Sequence, residues 1–180
     1  SIFVQGNAYA PKHETRLAVV RYGNVLGSRG SVVPIFREQA KNGTLKITHR
    51  DMTRFWVTIE GAVCFILDRL QDMQGGEIFV PLLKSCTIMD LAEAIAPNAK
   101  IEFTGIRPSE KLHETLISVD EAAHTIVMRP KQTDRYFLIK PEHPFWENNR
   151  EGLRAQCYTS DKNMVWLSVD ELRELLEGLK

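Results

Sequence analysis

The residues best suited to chemistry stand in three short stretches. Arg21 to Ser31 reads R-Y-G-N-V-L-G-S-R-G-S, with three glycines within eight residues after an apolar run. A glycine-rich turn lets backbone approach a ligand closely, and a helix N-terminus that follows it favours an anion. Asn24 within the turn offers both a donor and an acceptor. Asp51 to Trp56 reads D-M-T-R-F-W, and the Arg54 guanidinium suits a two-point grip on a diphosphate. Gly105 to Glu114 reads G-I-R-P-S-E-K-L-H-E. On a helix starting there, Arg107 and Glu110 would face one ligand, the first on phosphate, the second accepting from sugar hydroxyls. Each stretch also has a plain reading: a tight strand–helix connection, an arginine stacked on Phe55 or Trp56, a surface Arg–Glu pair. Together they point to an anionic ligand without saying which.

Catalytic groups are harder to find. His113 is of a residue type suited to acid or base work at pH 7, but no Ser, Cys or Asp partner stands beside it in sequence. No carboxylates pair at a catalytic spacing. Five histidines, and cysteines at 64, 86 and 157, lack metal-ligand spacing. The thiols argue against a disulfide framework and for a reducing compartment. Lys+Arg and Asp+Glu are both 23, so no net field draws nucleic acid or an anionic membrane. No apolar run approaches a membrane span, and no signal-peptide pattern opens the chain. With 43% apolar and 26% charged residues, the expectation is a cytoplasmic globular protein with binding groups, no metal site and no catalytic apparatus of its own.

The elements that must position these groups alternate between strand and helix, which predicts an α/β fold. Ser1 to Tyr9 reads as the tail of a helix. Arg16 to Tyr22 reads as a buried parallel strand after the loop Ala10 to Thr15. Ser31 and Gly43 bracket a helix with Pro34 in its first turn. Leu45 to Thr48 and Arg54 to Val57 are extended. Thr58 caps an amphipathic helix whose apolar face is Val63, Ile66, Leu67 and Leu70. A strand E-I-F-V-P-L follows, then a helix opened by Thr87 and Asp90 as a capping box. Lys100 to Thr104 reads as a strand and Glu110 to Leu116 as a short helix. T-I-V-M and Y-F-L-I are strands about the turn P-K-Q-T-D-R. Ser168 and Glu171 form a second capping box, and Trp146 and Trp166 read as packing residues.

Read in order, the blocks R-Y-G-N-V-x-G-S-R-G-S-V-V-P, M-T-R-F-W-V-T, G-G-E-I-F-V-P, D-L-A-x-A-I-A-P, G-I-R-P-x-E-K-L-H-E and Y-T-S-D…W-L-S-V-D-E-L resemble the inverting UDP-N-acetylglucosamine 4,6-dehydratases. These belong to the extended short-chain dehydrogenase/reductase family and act in pseudaminic acid and polysaccharide biosynthesis. The resemblance covers nearly the whole chain and implies the C-terminal part of a Rossmann-like parallel-sheet fold plus the smaller substrate-binding subdomain. It divides the chain into 1–44, the end of the nucleotide-binding domain, and 45–180, the substrate subdomain with interleaved Rossmann elements.

The resemblance further implies a cofactor, NADP with NAD left open, a UDP-sugar substrate and a homo-oligomer. The Tyr-x-x-x-Lys segment and the dinucleotide loop would lie upstream of Ser1, so no catalytic residue is expected here and the isolated chain would be inactive. In such enzymes hydride leaves C4 of the sugar, a base takes the C5 proton, water leaves C6, hydride returns to C6, and C5 is reprotonated on the opposite face. Tyr22, Gly23 and Val25 would lie by the nicotinamide, chiefly through backbone. Asn24, Arg54 and Arg107 would hold the diphosphate, with Ile47 and Thr48 near the uracil. Ser31 and Val32 would stand along the helix start and Glu110 at the ribose. Two departures stand out: Ser109 replaces the usual glycine of Arg-Pro-Gly-Glu, and His49 stands where relatives often carry Asp. If that glycine has positive φ, Ser109 costs about 1 kcal/mol or shifts the turn. Another sugar-nucleotide epimerase or dehydratase of the same fold, or a non-catalytic sensor or assembly protein reusing it, are the competing expectations.

Overall fold

The structure is a computed structural model that describes residues 5–7, 15–130, 134–141 and 152–179. Along the chain come β1 (Val19–Val20), β2 (Asn24–Val25), α1 (Val32–Ala40), β3 (Thr44–Ile47), β4 (Thr53–Val57) and α2 (Ile59–Asp72). Then follow β5 (Ile78–Pro81), β6 (Lys84–Thr87), α3 (Ile88–Ile95), β7 (Lys100–Phe103), β8 (Thr115–Ile117) and α4 (Val119–Ala122). The chain closes with β9 (Thr125–Met128), β10 (Tyr136–Ile139), β11 (Leu153–Arg154), β12 (Tyr158–Thr159) and α5 (Val169–Glu177). Most of Ser1 to Tyr9, the loop Ala10 to Glu14, the middle of the P-K-Q-T-D-R turn and Trp146 lie outside the described residues.

Contacts divide the chain into two units that alternate along it. The first comprises 1–22, 60–82 and 115–158; the second comprises 23–59, 83–114 and 159–180. An α/β chain that repeatedly leaves and re-enters a sheet produces such interleaving.

The first unit holds a five-stranded sheet in the order β1-β5-β10-β9-β11. β1 pairs parallel with β5, Val19 opposite Ile78, and β10 pairs antiparallel with both β5 and β9. The expected strand from Arg16 to Tyr22 thus shortens to two residues. Phe79, Ile126, Tyr136 and Leu138 form its core. α2 forms where Thr58 and the apolar period foretell it, but it turns a different face inward. Val63, Leu67 and Leu70 are 46%, 56% and 59% exposed, while Ala62 and Arg69 are buried. Arg69 stacks over Tyr136 with 4.0 Å to the ring centroid and pairs with Asp72 at 2.9 Å. A guanidinium on an aromatic face is a favourable core contact, and it lies on the side of α2 turned away from Val63, Leu67 and Leu70.

The second unit holds a three-stranded sheet β2-β4-β6 and the parallel pair β3-β7. Its core gathers Leu26, Val33, Phe36, Leu45, Ile47, Met52, Trp56, Leu91, Leu172 and Leu176 among others. Each such side chain contributes roughly 1.5–3 kcal/mol by leaving water. The capping boxes Thr87–Asp90 and Ser168–Glu171 are both formed. The helix expected from Glu110 to Leu116 is not: its residues run irregularly and then enter β8. The backbone carbonyls of Lys111 and Leu112, which a helix would bond internally, accept from β4 instead. No described helix is long and apolar enough to cross a membrane.

Candidate functional site

The site grows from β4. Its residues T-R-F-W-V are β-branched or aromatic with one arginine, a composition that favours a half-buried strand. β4 runs parallel to β2, with Asn24 opposite Trp56, and antiparallel to β6. Gly23 opens β2 because nothing larger fits: a Cβ there would stand 2.5 Å from the Phe55 Cβ and 2.6 Å from its carbonyl oxygen. The side chains of Asn24 and Arg54 thereby come to a common carboxylate, that of Glu114.

Arg54 is only 11% exposed at its side chain, and its guanidinium is engaged throughout. Nη1 donates to the carbonyls of Thr53 at 2.7 Å and Leu112 at 3.1 Å. Nη2 donates to the Lys111 carbonyl at 3.0 Å and to Met52 Sδ at 3.1 Å, and Nε lies 3.7 Å from Glu114 Oε1. A guanidinium has five N–H groups, so the fork faces the chain's own acceptors. What it offers a ligand in this arrangement is positive charge.

Residues 104–114 form the strap that Arg54 holds. Gly105 and Ser109 have φ of 83° and 68°, and Ser109 is the one non-glycine with positive φ among the described residues. The position where the resembled motif carries glycine is thus one where this chain has a backbone that glycine adopts without strain. Its turn brings the Glu110 carboxylate back to the Arg107 N–H at 3.3 Å, while Thr48 Oγ1 donates to the other oxygen at 3.5 Å. Arg107 is exposed, and no hydrogen bond or ion pair of its guanidinium is found among the described residues. Thr48 and Arg54 therefore both contact the strap that carries Glu110 and Arg107.

Glu114, which sequence reasoning passed over, ends the strap. The Asn24 amide orientation that matches donor to acceptor puts its nitrogen 2.6 Å and 3.2 Å from the two carboxylate oxygens. The Phe55 N–H donates to it at 3.2 Å. Burial pushes its pKa above the ordinary glutamate value, opposed by the Phe55 N–H and by the charges of Arg54 and Lys111. Its backbone is clamped twice by Ser160: Glu114 N donates to Ser160 Oγ, and Ser160 N donates to Glu114 O, both at 2.9 Å. The available signal was its place as the closing glutamate of G-I-R-P-S-E-K-L-H-E.

His113 also has partners that sequence distance concealed. Its Nδ1 lies 2.8 Å from Thr53 Oγ1, which lies 2.7 Å from Ser160 Oγ. Ser160 and Thr53 are buried, so this chain of hydroxyls braces the strap and presents no exposed nucleophile.

The remaining expected residues lie as follows. Val25 is half-buried on β2, an edge strand of its sheet, Gly23 is half-buried just before it, and Tyr22 ends the first segment of the first unit. Ser31 stands at the N-cap of α1, but its hydroxyl makes no cap bond and has no partner among the described residues. Val32 opens the helix. Ile47 is buried in the core, so only its neighbour Thr48 presents a side chain. His49 accepts the Asp51 N–H on Nδ1 at 3.1 Å, the role an Asp side chain plays in such a turn. Tyr-x-x-x-Lys spacing does occur, at Tyr136/Lys140 and Tyr158/Lys162, against the expectation that it lies wholly upstream. Neither pair stands on a helix: Tyr136 is buried on β10 and Tyr158 on β12. From Tyr136 along β10 four residues span about 13 Å, twice the separation on a helix face, and after Thr159 the chain turns, the Lys162 N–H donating to the Thr159 carbonyl at 3.3 Å. No group of three or more His, Cys, Asp or Glu that could hold a metal is found among the described residues.

Comparison with known proteins gives the family. The model of the polysaccharide biosynthesis protein family matches residues 1–136. The chain is 41% identical over 189 aligned residues to the UDP-N-acetylglucosamine 4,6-dehydratase (inverting) of Campylobacter jejuni, covering 97% of this chain and 55% of that protein. It is 37% identical to the UDP-glucose 4-epimerase of Rickettsia rickettsii, covering 91% of this chain and 50% of the other. A solved structure, the X-ray structure of Pen from Bacillus thuringiensis, superposes with a TM-score of 0.81 at 30% identity, over 98% of this chain and 53% of that one. The α/β fold is accordingly Rossmann-like, and the chain spans about half the length of the curated relatives it matches.

Proposed function

The chain belongs to the polysaccharide biosynthesis protein family, and on that premise we propose that it is the sugar-nucleotide-binding part of an inverting UDP-N-acetylglucosamine 4,6-dehydratase. The observation that carries this reading is the strap of residues 104–114, held to β4 by Arg54, with Glu110 beside Thr48 and an exposed Arg107.

In this reading Arg107 grips the diphosphate with a free fork, and Arg54 adds charge from behind the strap. The N-terminus of α1, with Ser31 and Val32, adds the partial positive charge of a helix start. Glu110 accepts from the ribose hydroxyls, Thr48 and the adjoining Ile47 backbone border the uracil, and Asn24 lies at the diphosphate end. The nicotinamide cofactor, NADP in the first instance, would meet Gly23 and Val25 through backbone. The fit rests on β2 being an edge strand, whose outer side is not occupied by β4. When bound, the cofactor supplies hydride acceptance and return. The residues of this chain bind and orient the substrate for that exchange.

The test is conversion of UDP-N-acetylglucosamine by the full-length protein with NADP, followed by product analysis. A 4-keto-6-deoxy sugar inverted at C5 is expected. A C4 epimer without loss of water would support the second reading, which the 37% identity to an epimerase favours. The isolated 180-residue chain is expected to give no turnover. Product at even a thousandth of a typical rate of ~10 per second would overturn that expectation.

A further inference from the structure

We propose that Glu114 is the positioning residue of this nucleotide-sugar site, orienting Asn24 and Arg54 from behind so that the ligand meets them in one arrangement. The inference rests on the UDP-sugar reading above.

One carboxylate joins three segments. It receives the Asn24 amide from β2 at 2.6 Å and 3.2 Å, the Phe55 N–H from β4 at 3.2 Å, and stands 3.7 Å from Arg54 Nε. It belongs to the strap that carries Arg107 and Glu110. Its own backbone cannot drift, because Ser160 holds both its N–H and its carbonyl at 2.9 Å. Ser160 is in turn fixed by Thr53, 2.7 Å away. A carboxylate beside a dianionic ligand is electrostatically adverse on its own. Its placement is accounted for by what it holds, since the amide and the guanidinium it faces are two of the groups assigned to the diphosphate.

The amide pairing has a chemical consequence. With an N–H of Asn24 directed at Glu114, the amide cannot rotate freely, and its carbonyl oxygen and remaining N–H keep fixed directions. Glutamine at 114 would retain the shape but put an NH2 group where a carboxylate oxygen stands. Either the Phe55 N–H loses its acceptor or Asn24 turns its carbonyl toward the new NH2, and in the second case the amide presents its reverse face to the ligand.

The experiment measures UDP-N-acetylglucosamine binding by calorimetry in the full-length protein, across pH 4.5 to 8. The diphosphate of this ligand is a diester and does not titrate there. The groups around Glu114 are Asn24 from β2, Arg54 from β4, Lys111 and His113 from its own strap, and Asp161 beside Ser160. All are shared by wild type and variants. Because burial raises the Glu114 pKa, wild-type affinity should fall as pH drops through it. Glu114→Gln should bind about tenfold more weakly at pH 7 and lack that step. Glu114→Asp should recover the step and part of the affinity, a rescue that mere loss of packing would not give. If Glu114→Gln does not fold, the aspartate variant decides: wild-type affinity there overturns the proposal. Wild-type affinity and an unchanged pH step in Glu114→Gln, with Arg107→Ala having lost binding, overturn the positioning role and leave the UDP-sugar reading standing. Equal binding by wild type and Arg107→Ala defeats that reading and this inference with it.

Discussion

The carbonyl oxygen of Leu112 accepts from Arg54 Nη1 at 3.1 Å across 58 positions of sequence, and the Thr53 N–H donates to the same oxygen at 3.1 Å. Arg54 is thus first a fastener of the strap, and Arg107 the exposed cation upon it. The two arginines should therefore separate in their effects. Arg54→Ala should destabilise by roughly 2–3 kcal/mol, the loss of charge-assisted bonds to the carbonyls of Thr53, Lys111 and Leu112. Arg107→Ala should leave stability within about 0.5 kcal/mol and weaken UDP-sugar binding by roughly 10- to 150-fold. Denaturant titration and calorimetry on the same samples check both halves. A destabilised Arg107→Ala, or an Arg54→Ala of unchanged stability, would reverse the assignment.

Gly23→Ala tests the contact between β2 and β4. The added methyl would lie 2.5 Å from Phe55 Cβ and 2.9 Å from its carbonyl carbon, and backbone cannot swing aside. The expected loss is roughly 1–3 kcal/mol, with weakened UDP-sugar binding because Asn24 is the next residue. A chemical-denaturation midpoint equal to wild type would show that β2 stands off further.

Ser109→Gly should stabilise. The serine sits at φ 68°, where an L side chain meets the carbonyl that follows. Removing the side chain should gain about 1 kcal/mol at most, since glycine also loosens the unfolded chain. A thermal scan showing a lower midpoint would mean that the Ser109 hydroxyl, which bonds the Pro108 carbonyl, outweighs the backbone strain.

A pH effect is expected from the first unit. Glu121 receives both Arg21 Nη groups at 2.9 Å, and the arginine holds its pKa down to about 2 from an ordinary 4.5. The folded value is the lower one, so the pair stabilises above about pH 4.5 and that contribution disappears as pH falls toward 2. Glu121→Gln should lower the melting temperature at pH 7 modestly, since both side chains are about a third exposed. The gap between variant and wild type should close on acidification. A gap that widens below pH 4 would contradict the sign.

What was legible in the sequence was local. The boxes Thr87–Asp90 and Ser168–Glu171 are complete within four residues, and a third of the same spacing, Ser118–Glu121, was there to be read. A positive φ at Ser109 stood in the sequence only as a condition on the glycine of the resembled motif, and the structure has it at 68°. The inward face of α2 was not legible, because Arg69 earns its burial from Tyr136, 67 positions away in sequence. Likewise the strap was misjudged as helix, since the acceptors of Lys111 and Leu112 are claimed by an arginine from another strand. Glu114 escaped notice for the same reason: its partners at 24, 54 and 55 are neighbours only in space.

The two units exchange the chain at 22–23, 59–60, 82–83, 114–115 and 158–159. No single cut along the backbone can free one from the other, and no contiguous subclone consists of one unit alone. A protease nick in an exposed connection should leave the fragments associated until denaturant is added. Dissection of this molecule into a binding piece and a remainder would have to proceed by point substitution, because the chain offers no seam.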